Sequence, residues 1–414
     1  MIALPKVSFV ISTRNRCEVL LSTLAKIERC GLGASQFDVH VVDNASTDDT
    51  SVLVREQFPR VKLITLAKNL GSVAKNEAIP HALGQYIVFL DDDSYPRPGS
   101  IERMIRHFEA DAKLGAATFT ITLPDGSHEC SAYPDVFIGC GVGLRRRAIR
   151  LVGTLPADFF MQAEEYDLSL RLLDAGWTVR AFDDLHVTHL KTPQARVPAR
   201  TMRLDVRNNL YLILRRFPKR WIAPYLLDWL KRYWWIASSK DRQGAFLQGL
   251  IEGIIRSMIW WRREAVSEEG FERFAKIDET RDRLASALSM SGHVRQPRVV
   301  LVDCGKNIHA YWRACRDMGL QIVAIADPKL AARGRTYRGI RIVDDQTGRS
   351  LPHDLVLIAN LSPVHAAVRR DQWRLRQGRP VIDLFEPGFT EHFRPLSGGR
   401  PAGSGSHRTA ARSA

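Results

Sequence analysis

The chain has 414 residues, enough for two or three domains, and its 45% hydrophobic content excludes a mainly disordered protein. A formal net charge of +15 indicates acidic partners: a phosphorylated ligand, a membrane surface or a nucleic acid. Six scattered cysteines without a CxxC pair argue against a disulfide framework or structural zinc, and favour a reducing cytoplasm.

Residues 5–110 alternate between strand and helix signals. Four apolar or β-branched runs predict strands: Val7–Ile11, Val39–Val42, Val61–Leu66 and Tyr86–Leu90. This alternation predicts an α/β fold with a mostly parallel sheet and helices on both faces. Ligands of such sheets bind at the carboxyl ends of the strands. The polar clusters Thr13–Arg16, Asp43–Ser46 and Asp91–Asp93 lie at such ends and mark the candidate site.

Three adjacent carboxylates, Asp91, Asp92 and Asp93, follow the last of these strands. Mg²⁺ or Mn²⁺ would compensate their repulsion and fill its other positions with phosphate oxygens and water. The i, i+2 spacing of Asp91 and Asp93 aims both side chains the same way, so we expect this pair to hold the metal. The alternative is a solvated acidic turn that caps the next helix.

Asp43 and Asn44 follow the second strand, where a buried carboxylate can accept a hydrogen bond from a pyrimidine N–H. The alternative is an Asx turn or a helix cap. Glu164, Glu165 and Asp167 begin a predicted helix, and there an acidic residue either serves the helix dipole or acts as a general base.

Two histidines, His186 and His189, lie in a strand-like run over 180–190. Side chains three residues apart in a strand point to opposite faces, so at most one of them reaches the metal. A structural histidine is the alternative.

Residues 191–270 carry sixteen Lys and Arg against seven Asp and Glu. Six of the nine tryptophans lie here: Trp221, Trp229, Trp234, Trp235, Trp260 and Trp261. Basic, aromatic amphipathic helices favour peripheral binding to an anionic membrane surface. The alternative is a helical core or an oligomer interface. No apolar run reaches the ~18 residues of a membrane span, and no signal peptide is recognisable. We therefore expect a cytoplasmic protein, with peripheral attachment to the inner face of the membrane as an option.

A further α/β unit is predicted over 296–390. Its strands are Val299–Val302, Ile322–Ala326, Leu355–Ile358 and Val381–Ile382. The unit weakly resembles a Rossmann-type nucleotide-binding domain, with Asp327 placed 22 residues after Gly305 as a ribose-binding acid would be. The glycine pattern is incomplete, so a structural or degenerate domain that takes no part in the chemistry is the alternative. The tail 391–414 is predicted to be disordered.

Motifs between residues 5 and 220 together resemble family 2 glycosyltransferases of the GT-A fold, particularly rhamnosyl- and galactofuranosyl-transferase-like members. Six segments and one histidine carry the resemblance: Val7–Arg16, Val41–Asp48, Asn69–Asn76, Phe89–Asp93, Gly139–Arg146, Glu164–Arg171 and His189. The resemblance implies a GT-A catalytic domain over 1–195, followed by the helical basic and aromatic region over 196–295.

The resemblance also assigns roles to individual residues. The nucleotide sugar would be bound by six side chains: Thr13, Asp43, Asn44, Asn69, Lys75 and Asp92. Asp91, Asp93 and His189 would hold Mn²⁺ or Mg²⁺ as the cofactor. Glu165 falls where the family usually has an aspartate base, one methylene longer. The segment 139–143 would pass close to the donor sugar and the acceptor.

These roles predict an inverting, metal-dependent glycosyltransferase. It would move a sugar from a UDP- or dTDP-sugar to a hydroxyl of a glycan or a lipid-linked acceptor of the cell envelope. A nucleotidyltransferase acting on sugar phosphates and a non-enzymatic nucleic-acid-binding protein are the alternatives. No nucleic-acid-binding motif supports the latter, so no nucleic acid partner is expected. The sequence leaves the oligomeric state open.

Overall fold

The computed structural model describes residues 4–192, 197–259, 263–290, 297–375, 379–385 and 389. Trp260, Trp261 and the predicted disordered tail lie outside the described residues. The described chain forms a large mixed sheet covered by helices, a helical region, and a second, smaller sheet. Among the described helices, none is both long enough and apolar enough to cross a membrane.

Within the described residues, the first sheet has nine strands. They are β1 (Val7–Thr13), β2 (Phe37–Asp43), β3 (Lys62–Thr65), β4 (Tyr86–Asp91), β5 (Ser94–Pro96), β6 (Leu114–Thr122), β7 (His128–Glu129), β8 (Val142–Arg145) and β9 (Thr178–His189). Their order is β3-β2-β1-β4-β8-β6-β9-β5, with β7 paired to β6. Strands β1 to β4 are parallel, as predicted, but β8 runs antiparallel to both β4 and β6. The sheet is therefore parallel in its first half and mixed in its second.

Helices cover both faces of this sheet: α1 (Cys17–Ile27), α2 (Thr50–Gln57), α3 (Ser100–Ala110), α4 (Arg146–Val152) and α5 (Glu164–Asp174). Alternate residues of the central strands enter two separate cores. Phe89 of β4 packs on the side of α5, whereas Val88 and Leu90 pack on the side of α1 and α3. This two-sided burial explains why β1 and β4 are almost continuously apolar.

The helical region contains α6 (Pro198–Arg216), α7 (Lys219–Ser239), α8 (Gln243–Ile259), α9 (Glu268–Ala275) and α10 (Ile277–Met290). Pro198 at the first turn of α6 has a fixed φ that suits a helix start. Trp229 and Trp235 are buried in the core of this region, as the helical-core alternative predicted, whereas Trp234 is 41% exposed. Trp229 and Trp235 are therefore packing residues.

The C-terminal unit contains β10 (Arg298–Val302), α11 (Ile308–Asp317), β11 (Gln321–Ala326), β12 (Thr336–Tyr337), β13 (Ile340–Val343), α12 (Asp345–Ser350), β14 (Leu355–Ile358), α13 (Pro363–Arg374) and β15 (Val381–Ile382). The parallel strands lie in the order β13-β11-β10-β14-β15. This is the 3-2-1-4-5 order of doubly wound sheets. Nucleotide binding by this unit stays a prediction.

Candidate active site

The acidic turn after β4 is held by residues that follow β1. Thr13 Oγ1 donates to Asp92 Oδ2 over 2.8 Å, and the Arg16 guanidinium pairs with Asp92 and, over 2.8 Å, with Asp93 Oδ2. Burial raises the pKa of Asp92 to about 7, although the charge of Arg16 opposes this shift. Asp91 differs from its two neighbours because its side chain is 42% exposed. Arg16 belongs to the polar cluster that follows the first strand, but no role in binding was predicted for it.

His189 brings the end of β9 to this acidic turn. Its Nε2 atom lies 3.3 Å from Asp93 Oδ1, and its Nδ1 atom lies 2.9 Å from Glu129 Oε2. The Cys140 thiol approaches the same Nδ1 atom at 3.6 Å. Burial opposes protonation of His189, but hydrogen bonds with Asp93, Cys140 and Glu129 raise its pKa to about 12. The surroundings of His189 therefore favour a positive charge.

Residues at this point fit a divalent cation. Ligand atoms of Asp91, Cys140 and His189 all lie within 4.8 Å of one another. His189 Nε2 is buried and makes no hydrogen bond of good geometry within the described residues, while Glu129 on Nδ1 orients the ring as second-shell carboxylates do. Mn²⁺ and Mg²⁺ are hard cations that favour oxygen ligands over a thiol, and His189 would release its proton on binding one through Nε2. Asp91 and His189 are the better donors.

Asp93, a predicted metal ligand, is already engaged by hydrogen bonds within the protein. Asp93 Oδ2 already accepts hydrogen bonds from the Thr192 backbone N–H at 2.9 Å and from its hydroxyl at 2.6 Å, in addition to the Arg16 contact. Its role as a ligand stays a prediction. Of the two histidines, His189 lies at the acidic turn, and the backbone N–H of His186 donates to the Ser100 hydroxyl over 3.1 Å. That at most one of them reaches a metal stays a prediction.

Lys75 connects the acidic turn at Asp91 to the backbone at Gly139. It lies in a 3-10 helix, Gly71–Glu77, and is only 2% exposed. Its ammonium group donates to Asp91 Oδ1 over 2.8 Å and to the Gly139 carbonyl over 2.9 Å. Burial disfavours the charged form, yet the Asp91 carboxylate raises the pKa of Lys75. Lys75 is therefore a buried, permanently charged cation between two parts of the site.

The loop before this 3-10 helix is fixed by two asparagines of the predicted nucleotide pocket. Asn44 Oδ1 accepts from the Leu70 N–H at 2.6 Å, and its amide donates to the Gly71 carbonyl at 2.8 Å. Asn69 Oδ1 accepts from the Gly71 N–H at 2.9 Å. Gly71 has φ +73°, and a Cβ there would lie 2.1 Å from the Phe160 carbonyl oxygen. Both asparagines thus shape the loop, and direct contact with a nucleotide stays a prediction.

Asp43 is buried at the end of β2 and both carboxylate oxygens have partners. Oδ1 accepts from the Ser46 backbone N–H at 2.8 Å, and Oδ2 accepts from the Ser51 hydroxyl. These are the local hydrogen bonds that the Asx-turn and helix-cap alternative describes. Recognition of a pyrimidine N–H by Asp43 stays a prediction.

Glu165 lies in the first turn of α5, after Ala163 in the left-handed region at φ 65°. Its side chain is partly exposed, whereas the Glu164 carboxylate beside it is buried and accepts from the Ser72 hydroxyl. Burial and the neighbouring Glu164 carboxylate raise the pKa of Glu165 to about 8. A methyl group on Gly139 would lie 3.5 Å from Glu165 Oε1, so Glu165 faces the segment that Lys75 also contacts.

Asp167, the third acidic residue of this turn, is engaged in structure. It is fully buried and forms ion pairs of 2.7 Å with Arg171 of α5 and with Arg216 of α6. Burial opposes ionisation, but the two guanidinium groups lower the pKa of Asp167. A carboxylate that is paired on both sides is unsuited to take a proton from a substrate. Glu165 is the open carboxylate of the three.

Two family models match the chain. "Glycosyl transferase family 2" matches residues 8–133 and "Glycosyl transferase family group 2" matches residues 125–265. An uncharacterized glycosyltransferase, YwdF of Bacillus subtilis, is 35% identical over 107 residues, which cover 25% of this chain and 38% of that protein. The succinoglycan biosynthesis protein ExoO of Rhizobium meliloti is 32% identical over 126 residues, which cover 30% of this chain and 35% of that protein. The chain thus spans little more than a third of the length of these curated relatives.

Among solved structures, a mannosyltransferase from Pyrobaculum calidifontis in complex with GDP-Man and Mn²⁺ is 18% identical to the chain. It aligns over 62% of this chain and 88% of that protein with a TM-score of 0.43. The two family models meet within the catalytic region and together cover more than half of the residues, including every motif of the site. The chain therefore belongs to glycosyltransferase family 2 over the matched residues, 8–265.

Proposed function

We propose that this protein transfers one sugar, with inversion, from a UDP- or dTDP-sugar to a hydroxyl of a glycan or lipid-linked acceptor. One observation carries the proposal: Lys75 joins the Asp91 carboxylate, at the metal-ligating turn, to the Gly139 backbone, which Glu165 faces. This arrangement supports a donor diphosphate bound next to an open carboxylate. Asp43, Asn44 and Thr13, at the ends of β1 and β2, would line the nucleotide side.

In this proposal, Glu165 accepts the proton of the acceptor hydroxyl as its oxygen attacks the anomeric carbon. The new bond from oxygen to carbon forms on the face opposite the breaking bond to the diphosphate oxygen, and the nucleoside diphosphate leaves with the electron pair. Asp91 and His189, with Asp93 beside them, would hold Mn²⁺ or Mg²⁺, which offsets the charge of the leaving diphosphate. Lys75 adds a fixed positive charge at the same point.

The name of one relative supports the proposed class of acceptor. ExoO is named for succinoglycan biosynthesis, and we propose that this chain likewise extends an envelope polysaccharide. Incubation of the protein with UDP-, dTDP- and GDP-sugars, MnCl₂ and octyl glycosides tests the proposal through the released nucleotide. Release of a nucleoside diphosphate with a matching glycoside product supports it. Release of pyrophosphate from nucleoside triphosphate and sugar phosphate would indicate a nucleotidyltransferase instead.

We further propose that the protein attaches to an anionic membrane surface through one face of α8. Gly249 and Gly253 bring α8 close to α6, since a Cβ on Gly249 would lie 2.3 Å from the Arg203 carbonyl oxygen. The opposite face carries six apolar side chains that are each 46–74% exposed: Leu247, Ile251, Ile254, Ile255, Met258 and Ile259. The net charge of +9 over residues 191–270 favours an anionic surface over a neutral one. Attachment at the inner face of a cell membrane follows from this proposal.

Flotation with vesicles of phosphatidylglycerol and phosphatidylcholine tests this attachment. Wild-type protein is expected to float with anionic vesicles and to dissociate as salt rises. Ile251→Asp with Ile255→Asp should abolish flotation, because each apolar side chain contributes about 1.5–3 kcal/mol on burial. Leu151→Asp on α4, where Leu151 is 69% exposed, is the control and should float like wild-type. Flotation of the double variant at wild-type level would contradict the proposal.

A further inference from the structure

The loop after β10 of the C-terminal unit reaches into the catalytic region. The carbonyl oxygen of Lys306 accepts hydrogen bonds from the Tyr133 hydroxyl at 3.2 Å and from Trp229 Nε1 at 3.0 Å. Asp303, where the loop begins, has φ 76°, a backbone conformation that is strained for a residue with a side chain. The loop is strained, and two other parts of the chain hold it by hydrogen bonds. Its position is therefore a specific feature of the fold.

The side chain of Lys306 enters an aromatic box beside α5. Its Nζ atom lies 4.2 Å from the ring centre of Tyr166 and 4.5 Å from that of Trp229, and it donates to Asn209 Oδ1 over 2.8 Å. Tyr166 directly follows Glu165 in the helix. The box therefore holds an ammonium group from the C-terminal unit against α5, within electrostatic range of Glu165.

Four side chains here retain partial exposure although they lie deep in the molecule: Glu165, Tyr166, Asp205 and Lys306. Burial lowers the pKa of Lys306 to about 7, and the carboxylates of Asp205 and Glu165 oppose that shift. Burial also raises the pKa of Asp205 to about 6, against the charges of Lys306 and Arg232. Mutual effects of this kind show that Lys306, Asp205 and Glu165 lie within electrostatic range of one another.

The candidate ribose ligand of this unit is engaged by the backbone around it. The carboxylate of Asp327, the candidate ribose ligand, accepts the N–H groups of Cys304 at 2.9 Å, of Lys329 at 2.9 Å and of Leu330 at 3.2 Å. Asp303 is paired with Arg369 over 2.7 Å. Asp303 and Asp327, at the carboxyl edge of this sheet, are thus bonded within the C-terminal unit. The side chain of Lys306 points instead toward the catalytic region.

We propose that Lys306 completes the acceptor site, where its ammonium group donates to oxygen atoms of an acceptor sugar and Asp205 accepts from that sugar's hydroxyls. This proposal rests on the proposed glycosyl transfer. It makes the C-terminal unit part of the active site, in contrast to the expectation that this unit takes no part in the chemistry. The ligand class is a sugar, because its hydroxyl groups can both accept from an ammonium group and donate to a carboxylate.

Steady-state kinetics with the octyl glycoside that wild-type protein glycosylates fastest tests the assignment. Lys306→Met should raise the KM for the glycoside by roughly 10-fold or more, the usual effect of losing a hydrogen bond from a charged group. The KM for the donor should stay near the wild-type value. Lys306→Arg should give a smaller increase in acceptor KM. Lys329→Met, an exposed lysine of the same unit, is the matched control and should behave as wild-type.

An unchanged acceptor KM in folded Lys306→Met protein would overturn the assignment, as would an equal rise of both KM values with a lowered unfolding temperature. If Lys306→Met does not fold, an acceptor KM of Lys306→Arg equal to that of wild-type would overturn it. A wild-type protein that turns over no nucleotide sugar would contradict the proposed function, which is a different outcome from either of these.

Discussion

At the scale of single residues, the raised pKa of Glu165 has a kinetic consequence. A general base must be ionised, so kcat/KM should rise with pH through the pKa of Glu165, near 8, well above the ~4.3 of an ordinary glutamate. Glu164→Gln removes one cause of the raised pKa, so the rising limb should move to lower pH. Glu56→Gln, exposed on α2, is the control. A limb that keeps its position in Glu164→Gln would contradict this account of the pair.

Metal binding can be followed without activity. Titration of Mn²⁺ by electron paramagnetic resonance should show loss of affinity in Asp91→Asn and His189→Gln. Glu129→Gln should weaken binding by about 10- to 100-fold, the usual effect of removing the carboxylate that orients a ligating histidine. Cys140→Ser should bind like wild-type because Mn²⁺ favours oxygen ligands over a thiol. Wild-type affinity in His189→Gln would exclude that histidine as a ligand.

At the scale of elements, the pairing of α5 with α6 depends on Asp167. Asp167→Asn leaves Arg171 and Arg216 without their buried counter-charge, and should lower the free energy of unfolding by about 3–5 kcal/mol. Urea denaturation followed by circular dichroism measures this loss. Glu165→Gln, from the same helical turn, is the matched control and should keep near wild-type stability. A stable but inactive Asp167→Asn protein would instead make Asp167 the base.

Elements formed by local patterns were predictable. Apolar runs identified β1, β4 and β14 with bounds that differ from those of the structure by at most two residues, because a strand buried on both faces must be apolar throughout. The antiparallel insertion of β8 between β4 and β6 was not predictable, since it joins segments more than fifty residues apart and no local pattern records such pairing.

Some residues of the candidate site were also predictable from the sequence. Asp91, His189 and Glu165 belong to motifs whose order in the chain resembles a family, and the structure brings these motifs to one edge of the sheet. Arg16 and Cys140 lie within predicted motifs but received no role of their own, and Glu129 was not singled out, because each enters the site through a tertiary contact with a distant segment. Lys306 lies 141 residues beyond Glu165 in sequence and no motif connects them.

At the scale of the whole molecule, three parts of the chain contribute to the proposed site. The first sheet supplies Asp91 and His189, α6 supplies Asp205, and the C-terminal unit supplies Lys306. Interactions across these parts, such as the hydrogen bond from Trp229 to the Lys306 carbonyl, tie the donor side to the acceptor side. We therefore interpret the second sheet as a support for the acceptor site.

The central claim is that Glu165 is the base of a glycosyl transfer, and the rate of nucleoside diphosphate release in Glu165→Gln tests it most directly. This variant keeps the size of the side chain but cannot accept a proton. Our account predicts a fall in kcat of roughly 10²–10⁴-fold, the usual contribution of general-base catalysis, with the KM for the donor nearly unchanged. Turnover of Glu165→Gln at a near wild-type rate, in protein that is correctly folded and binds Mn²⁺, would contradict it.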